Sequence, residues 1–308
     1  MTHEPIDFTV AGALKWNTLP DFIAQLHAVS TADSDRFLLD LSKLDFCQPI
    51  GTACLAAGMD YLRFRQQECV RVIRPESTGV DTYLERIGLF EALGEPGFYP
   101  YQRRDSTGRF VELTRIATQS EVAGATTAVC DVFARKFNLA NDARATLDTI
   151  LSEIVENVFH HAHSEIGAYL CCQGYNDSID AAIVDLGDGM RRRLMDTTTL
   201  REIVERFGGP LRAALQPGVT SKPAHNSGYG LALTSEMIRQ NGGLLGVHSQ
   251  RDRLHQKGGN VQEREIPQRW PGTAIALSVS PAKSLDMGRI YDMAWPTDET
   301  DDLDFLDD

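Results

Sequence analysis

Between Ala143 and His163, Leu147, Ile150, Leu151, Ile154 and Val158 recur at three- and four-residue spacing, which winds them onto one face of a helix. The same segment sets Glu153, Asn157 and His161 at four-residue intervals, one above another in a polar row. Such a helix must lay its apolar face on another layer, so the chain has to supply a sheet or further helices to cover it. The polar row has chemical possibilities of its own. Asn157 offers a neutral carbonyl oxygen to a hard cation such as Mg2+, and Glu153, one turn away, can take a proton from an attacking hydroxyl or water. Taken alone, the row reads as a solvated face.

Glycine-punctuated segments follow it. Ser178 to Val184 reads as a strand and runs directly into Asp185-Leu186-Gly187-Asp188-Gly189. A carboxylate at a strand end can accept an exocyclic amine, and the glycines let the backbone bend and approach a ring closely. The same pattern also fits an ordinary turn. Next come Gly218-Val219-Thr220-Ser221-Lys222 and Asn226-Ser227-Gly228-Tyr229-Gly230, and an apolar helix spans 231 to 239 with Asn226 and Ser227 as candidate N-caps. Free amides at a helix N-terminus form an anion site suited to phosphate. Asn241-Gly242-Gly243 ends this helix, Leu244 to Val247 starts a strand, and Gly272-Thr273 opens the last strand, 274 to 279.

The first 95 residues alternate strands and helices: a strand at Ile6–Val10, a helix at Leu19–Val29, a buried strand at Phe37–Leu41, a small-residue-rich helix at Ile50–Phe64, a strand at Cys69–Ile73 and a short helix near Thr82–Ile87. That spacing predicts a mostly parallel sheet with helices against it. Residues 96–110 mix Pro, Gly and charge and read as a linker. The fold class is therefore α/β (α+β), with units at 1–95 and 111–282, each expected to have its own core, and an acidic C-terminal tail at 283–308. In that tail Asp298 to Asp308 is nearly all acidic or large and apolar; it reads as a solvated segment, or as a peptide that docks Leu303, Phe305 and Leu306 into a partner's groove.

Composition narrows the function. A formal charge of −13 argues against nucleic acid as a main partner. No apolar run long enough for a membrane span and no secretory signal occur, and six cysteines without a CxxC pair suit reduced thiols in a cytoplasm. Adjacent histidines point in different directions on a helix, so His160, His161 and His163 do not read as a zinc cluster. No GxGxxG joins a strand to a helix, which argues against a Rossmann dinucleotide site. Cys171 and Cys172 fall in a predicted strand with their thiols on opposite faces.

Two resemblances carry the reading further. Glu153-xxx-Asn157, Asp185-x-Gly187-x-Gly189, Gly228-x-Gly230-Leu231 and Gly272-Thr273 resemble, in that order, the N, G1, G2 and G3 boxes of the GHKL (gyrase/Hsp90/histidine-kinase/MutL) ATPase superfamily, across roughly residues 110 to 282. The resemblance implies a Bergerat-type sandwich, a mixed sheet with helices on one face, that binds ATP and Mg2+. It implies that Asn157 holds Mg2+, that Asp185 takes the adenine amine with Thr273 on an adjacent water, and that Gly228, Tyr229, Gly230 and Leu231 cradle phosphates beneath a lid over about Gly218 to Tyr229 that contains Lys222. His161 matches the family's histidine after the N box. The N-terminal third resembles the STAS domain of anti-sigma-factor antagonists through its strand, the Leu41-Ser42-Lys43-Leu44-Asp45-Phe46 segment, Gly51 and the apolar helix. Where phosphorylatable antagonists carry Asp-Ser-Ser-Gly, this chain has Gln48-Pro49-Ile50-Gly51, so the module is expected to act by contact.

Within the superfamily, the helix 120–137 lacks the phospho-accepting histidine of sensor kinases, and only the acidic segment follows the pocket where gyrase-, Hsp90- or MutL-like machines carry a transducer. Ser152 to Ala162 is most similar to the anti-sigma-factor serine kinases, and Glu153 stands in their catalytic-base position. The resemblance thus implies an ATP-binding regulatory protein, an ATP-dependent serine/threonine kinase or slow ATPase acting on a STAS-like or sigma-factor-like protein partner, with a homodimer as another expected assembly. A non-catalytic, ATP-dependent interaction switch is the alternative.

Overall fold

The structure, a computed structural model, describes residues 4–95, 109–138, 141–220, 228–283 and 285–294. The expected linker, save 109–110, lies outside these residues, as does Lys222. Of the expected tail, 283 and 285–294 are described, and Met287–Ala294 is a helix whose Ile290 is buried in the C-terminal core, so this part of the tail is not a solvated segment. Among the described residues no helix is long and apolar enough to cross a membrane.

The N-terminal segment runs β1 (Ile6–Thr9), β2 (Gly12–Leu14), α1 (Leu19–Ser30), β3 (Arg36–Asp40), β4 (Leu44–Cys47), α2 (Pro49–Phe64), β5 (Glu68–Ile73), α3 (Thr78–Arg86) and α4 (Leu89–Leu93). The alternation read from sequence holds, and β1, β3 and β5 form a parallel sheet in the order β1-β3-β5. Parallel neighbours need a crossover between them, which α1 and α2 supply. Proline at the start of both helices fits its locked φ and missing N–H. A small second sheet, β2 beside β4, escapes the sequence pattern because neither strand is longer than four residues.

The C-terminal segment contains β6 (Phe110–Ile116), α5 (Val122–Phe137), α6 (Asn141–Asn157), β7 (Ala168–Gly174), β8 (Ile179–Asp185), α7 (Met190–Leu194), α8 (Thr198–Phe207), α9 (Pro210–Ala214), α10 (Gly230–Asn241), β9 (Leu244–Lys257), β10 (Asn260–Val279) and α11 (Met287–Ala294). Its five strands lie in the order β6-β7-β8-β10-β9. Every neighbouring pair is antiparallel, where the family resemblance implies a mixed sheet. Gly272 and Thr273 do not open the last strand. They sit inside β10, which begins at Asn260 and crosses register irregularities on either side of Trp270. Pro267 and Pro271 lie in this strand where the ladder slips, positions that a missing N–H tolerates.

One face of this sheet is covered by α5, α6 and α10, whose apolar stripes, including Leu147, Ile150, Leu151 and Ile154, close over Leu170, Cys172 and Ile183. The opposite face is covered by the N-terminal segment. Tyr169, Cys171, Val184, Trp270 and Ala274 belong to the same buried cluster as Phe8, Leu39 and Leu55, so the N-terminal segment shares a cluster with this face of the sheet, while the other face has a cluster of C-terminal residues alone. Cys171 and Cys172 do point to opposite faces, one into each cluster.

Helix α2 rests on β7 and β8. Pro49 and Asp60 touch β7 directly: the Cys171 thiol donates to the Pro49 carbonyl at 3.2 Å, and the Tyr169 hydroxyl donates to Asp60 at 2.8 Å. Ala53, Ala56 and Ala57 share that side of the helix by spacing, and such small side chains let it lie close to the sheet. At the sheet's other edge Trp16 lies against the backbone of Gly246, where a Cβ would come 2.5 Å from the indole.

Candidate functional site

A cavity opens on the helical face, at the end of β8. Its floor is the sheet (Ile183, Asp185, Thr273, Ile275). One wall is the end of α6 (Ile154, Asn157, Val158), another is α7 (Met190, Arg193, Leu194), and the rim carries Thr220, Gly228, Gly230 and Leu231. Residues widely separated in sequence thus meet in one place. Asn157, Asp185, Gly189, Gly228, Gly230, Leu231 and Thr273 line it, whereas Gly187 and Tyr229, also expected there, do not. Lys222 and the side chain of His161 lie outside the described residues, as does most of the expected lid.

Asp185 is the chemical centre of this floor. Its carboxylate is buried, and Oδ1 accepts from the amides of Gly187, at 2.7 Å, and Thr273, at 3.2 Å. Oδ2 has no hydrogen-bond partner among the described residues. Burial pushes the carboxyl up to about 7, against the pull of the two amides. The backbone around it is rigidly held: Trp270 donates from its indole to the Asp185 carbonyl at 3.0 Å, and antiparallel register sets Thr273 directly opposite Asp185. Ser249, on β9, faces Thr273 from its other side; its hydroxyl lies 3.0 Å from that of Thr273 and accepts from the Met190 amide at 2.8 Å. Asp185 thus lines the cavity with one oxygen engaged by two amides and the other without a protein donor among the described residues.

The α6 row divides. Asn157 sits where α6 gives way to a π turn at Val158–Ala162, and it is half-buried in the cavity wall. Such turns inside helices frequently mark functional positions. Glu153 does not face the cavity. Its Oε2 accepts from the amides of Gly230, at 2.6 Å, and Tyr229, at 3.2 Å. It therefore caps α10 from outside the sequence of that helix, a task expected of Asn226 or Ser227, which lie outside the described residues. The contact is close enough that a Cβ on Gly230 would come 2.8 Å from the Cβ of Glu153, so glycine is needed there for packing.

Sequence reasoning missed Arg193. It comes from α7, a short helix following the Asp185–Gly189 turn, and its guanidinium donates to Asp188 at 2.6 Å while lining the cavity. Its Nε is buried without a hydrogen-bond partner. The signal was the basic run Arg191-Arg192-Arg193 directly after the glycines. Among the described residues no group of three or more His, Cys, Asp or Glu side chains could hold a metal ion. Comparison with known proteins finds no matching family model and no match among curated proteins.

Proposed function

We propose that this cavity binds an adenine nucleotide and that the chain is an ATP-dependent regulatory protein of the GHKL type, carrying a STAS-like layer in cis. The observation that carries the reading is the vacant Asp185 Oδ2 at the floor of the cavity, beside an Oδ1 that accepts from the amides of Gly187 and Thr273. The residues fit a nucleotide in other respects. Ile183, Ile275, Met190 and Leu194 offer apolar walls for a ring, and Arg193 brings a cation to the same space. Asn157 would hold Mg2+ together with phosphate oxygens and water, the usual arrangement for an ion that keeps few protein ligands. Bound ATP would supply a transferable phosphoryl group.

Two readings of the chemistry follow from Glu153. As a general base in a serine kinase or slow ATPase, it must first leave the amides of Tyr229 and Gly230. As a cap, it couples α6 to the rim of the cavity, and an anion at those amides competes with it. That second role favours a switch in which nucleotide binding loosens the α6–α10 contact and changes how a STAS-like or sigma-factor-like partner, or a second copy of the chain, is held. Thr52, the hydroxyl nearest the position phosphorylated in STAS antagonists, is fully buried and donates to the Gln48 carbonyl at 3.3 Å. Self-phosphorylation at this turn is therefore not part of the proposal.

Calorimetric titration with ATP, ADP and GTP, with and without Mg2+, tests the reading. Saturable ATP binding that weakens in Asn157→Ala only when Mg2+ is present is expected. No binding of either adenine nucleotide at millimolar concentration would remove it. Turnover of Glu153→Gln then separates the readings: a loss of roughly 10²–10⁴-fold marks a base, and unchanged turnover leaves the switch.

A further inference from the structure

On the β9–β10 hairpin, charges of one sign face each other on successive rungs. Asp252 is paired with Glu265, and Arg253 with Arg264. Like charges directly opposite in an antiparallel pair repel. The acidic rung is relieved within the chain, because Arg191 reaches over it to bond Asp252 and lies 3.5 Å from Glu265. The basic rung has no such relief: no carboxylate pairs with Arg253 or Arg264 among the described residues.

Arg253 is nevertheless buried, with only 5% of its surface exposed. Its guanidinium lies 3.9 Å from the centre of the Trp16 ring, Nη2 donates to the Trp16 carbonyl, and Nη1 is buried with no partner. A buried cation without a counter-charge is costly, so the arrangement points to a missing anion. A surface pocket lies at this place, lined by Trp16, Asn17, Arg253, His255, Glu263 and Arg264 among others. Its other groups are mostly donors. The Trp16 indole donates to His255 Nδ1 at 3.2 Å, so in that neutral ring the proton sits on Nε2, which is left to donate. Burial and the charges of Arg253, Lys257 and Arg264 all hold His255 below its ordinary range, in keeping with a neutral ring in a positive field. Glu263, the carboxylate in the lining, is already committed to the amides of Leu211, at 3.0 Å, and Arg212, at 2.7 Å.

We propose that Arg253, Arg264 and His255 form a binding site for a small oxyanion, a phosphate or carboxylate group, in the pocket between Trp16 and the β9–β10 hairpin. Because Trp16 belongs to the N-terminal layer and both arginines to the C-terminal sheet, an anion here would also pin the two layers together. The proposal is independent of the nucleotide reading.

The test is nuclear magnetic resonance of the full chain, following the Trp16 indole N–H while inorganic phosphate or acetate is added at constant ionic strength. A saturable shift with phosphate, with acetate or with both is expected, and which of them saturates assigns the class. Arg264→Ala, an exposed position whose loss leaves the core intact, should weaken the binding about tenfold, the scale of one charge-assisted hydrogen bond. Asp185→Asn should leave it unchanged, which separates this pocket from the cavity. A shift that never saturates with either anion, or saturation that Arg264→Ala does not alter, would overturn the proposal.

Discussion

Strand β8 presents two carboxylates at its two ends, and the sheet presents two faces; each pair has been settled differently. Asp180 accepts from Ser278 at 2.7 Å and from Gln48 at 3.2 Å, so both oxygens are engaged and one bond ties β8 to the N-terminal layer. Asp185 spends one oxygen on two amides and leaves the other bare. In the same way, the part of the sheet under α2 is sealed by alanines and the Tyr169–Asp60 bond, whereas the face under α6 and α10 is held apart around a cavity. A satisfied buried group adds stability and specificity; an unsatisfied one stores a cost that a ligand can remove. The difference separates a structural face from a binding face.

The most disruptive way to break the comparison is a charge on the sealed face. Ala57→Asp places an unpaired carboxylate where α2 meets the sheet and should destabilise the protein by about 4 kcal/mol or more. Because the N-terminal layer shares a buried cluster with the sheet, denaturation followed at Trp16 and at Trp270 should coincide in the wild type. Two separate transitions would show that the layers are independent units.

Exchanging the two carboxylates sharpens the contrast. Asp185→Asn should weaken ATP binding by about 1.5–3 kcal/mol, the range for a hydrogen bond to a charged group, and erode preference over GTP. Asp180→Asn should leave affinity alone and lower stability instead. Calorimetry and denaturant melts on both variants decide; equal affinities in the two would remove Asp185 as the anchor. A milder effect is expected at Tyr169→Phe, which loses its bond to Asp60 and should cost about 1–2 kcal/mol of stability with no change in nucleotide affinity.

The smallest effect is one of pH. The Asp185 carboxyl is raised to about 7, above its unfolded value of 3.8. The folded state therefore holds the proton more tightly, and the resulting stability, full below the unfolded value, is lost as pH rises through 7. Nucleotide binding runs the other way, since only the ionised oxygen accepts a donor. ATP affinity should rise between pH 6 and 8 with release of up to one proton, measured by calorimetry in buffers of different ionisation heat. A flat profile, or proton uptake, would contradict the assignment.

Much of this was legible in the sequence because it is local. The periodicity of α2, α6 and α10 gave the helices and their buried faces, and the alternation around Cys171 and Cys172 gave the strand with a thiol on each side. Asp185, Asn157 and Thr273 were singled out because their segments resemble the superfamily's boxes, and the fold brings them to one cavity. What was hidden depends on contacts across long separations. The docking of α2 on β7 and β8 has no periodic signature, since Ala53, Ala56 and Ala57 read as helix residues whichever surface they meet. Glu153 read as a general base, and its capping role was hidden because the amides it caps lie more than seventy residues onward. Arg193 carries no motif of its own in the sequence, and only the placement of α7 brings it to the cavity.

Hydrogen exchange of the full chain with and without Mg2+-ATP tests the contrast between the faces most directly. The account predicts added protection at Asp185–Leu194 and Tyr229–Leu233, with unchanged exchange at Pro49–Asp60 on the sealed face. Protection concentrated on Pro49–Asp60, or no change at the cavity under saturating nucleotide, would contradict it.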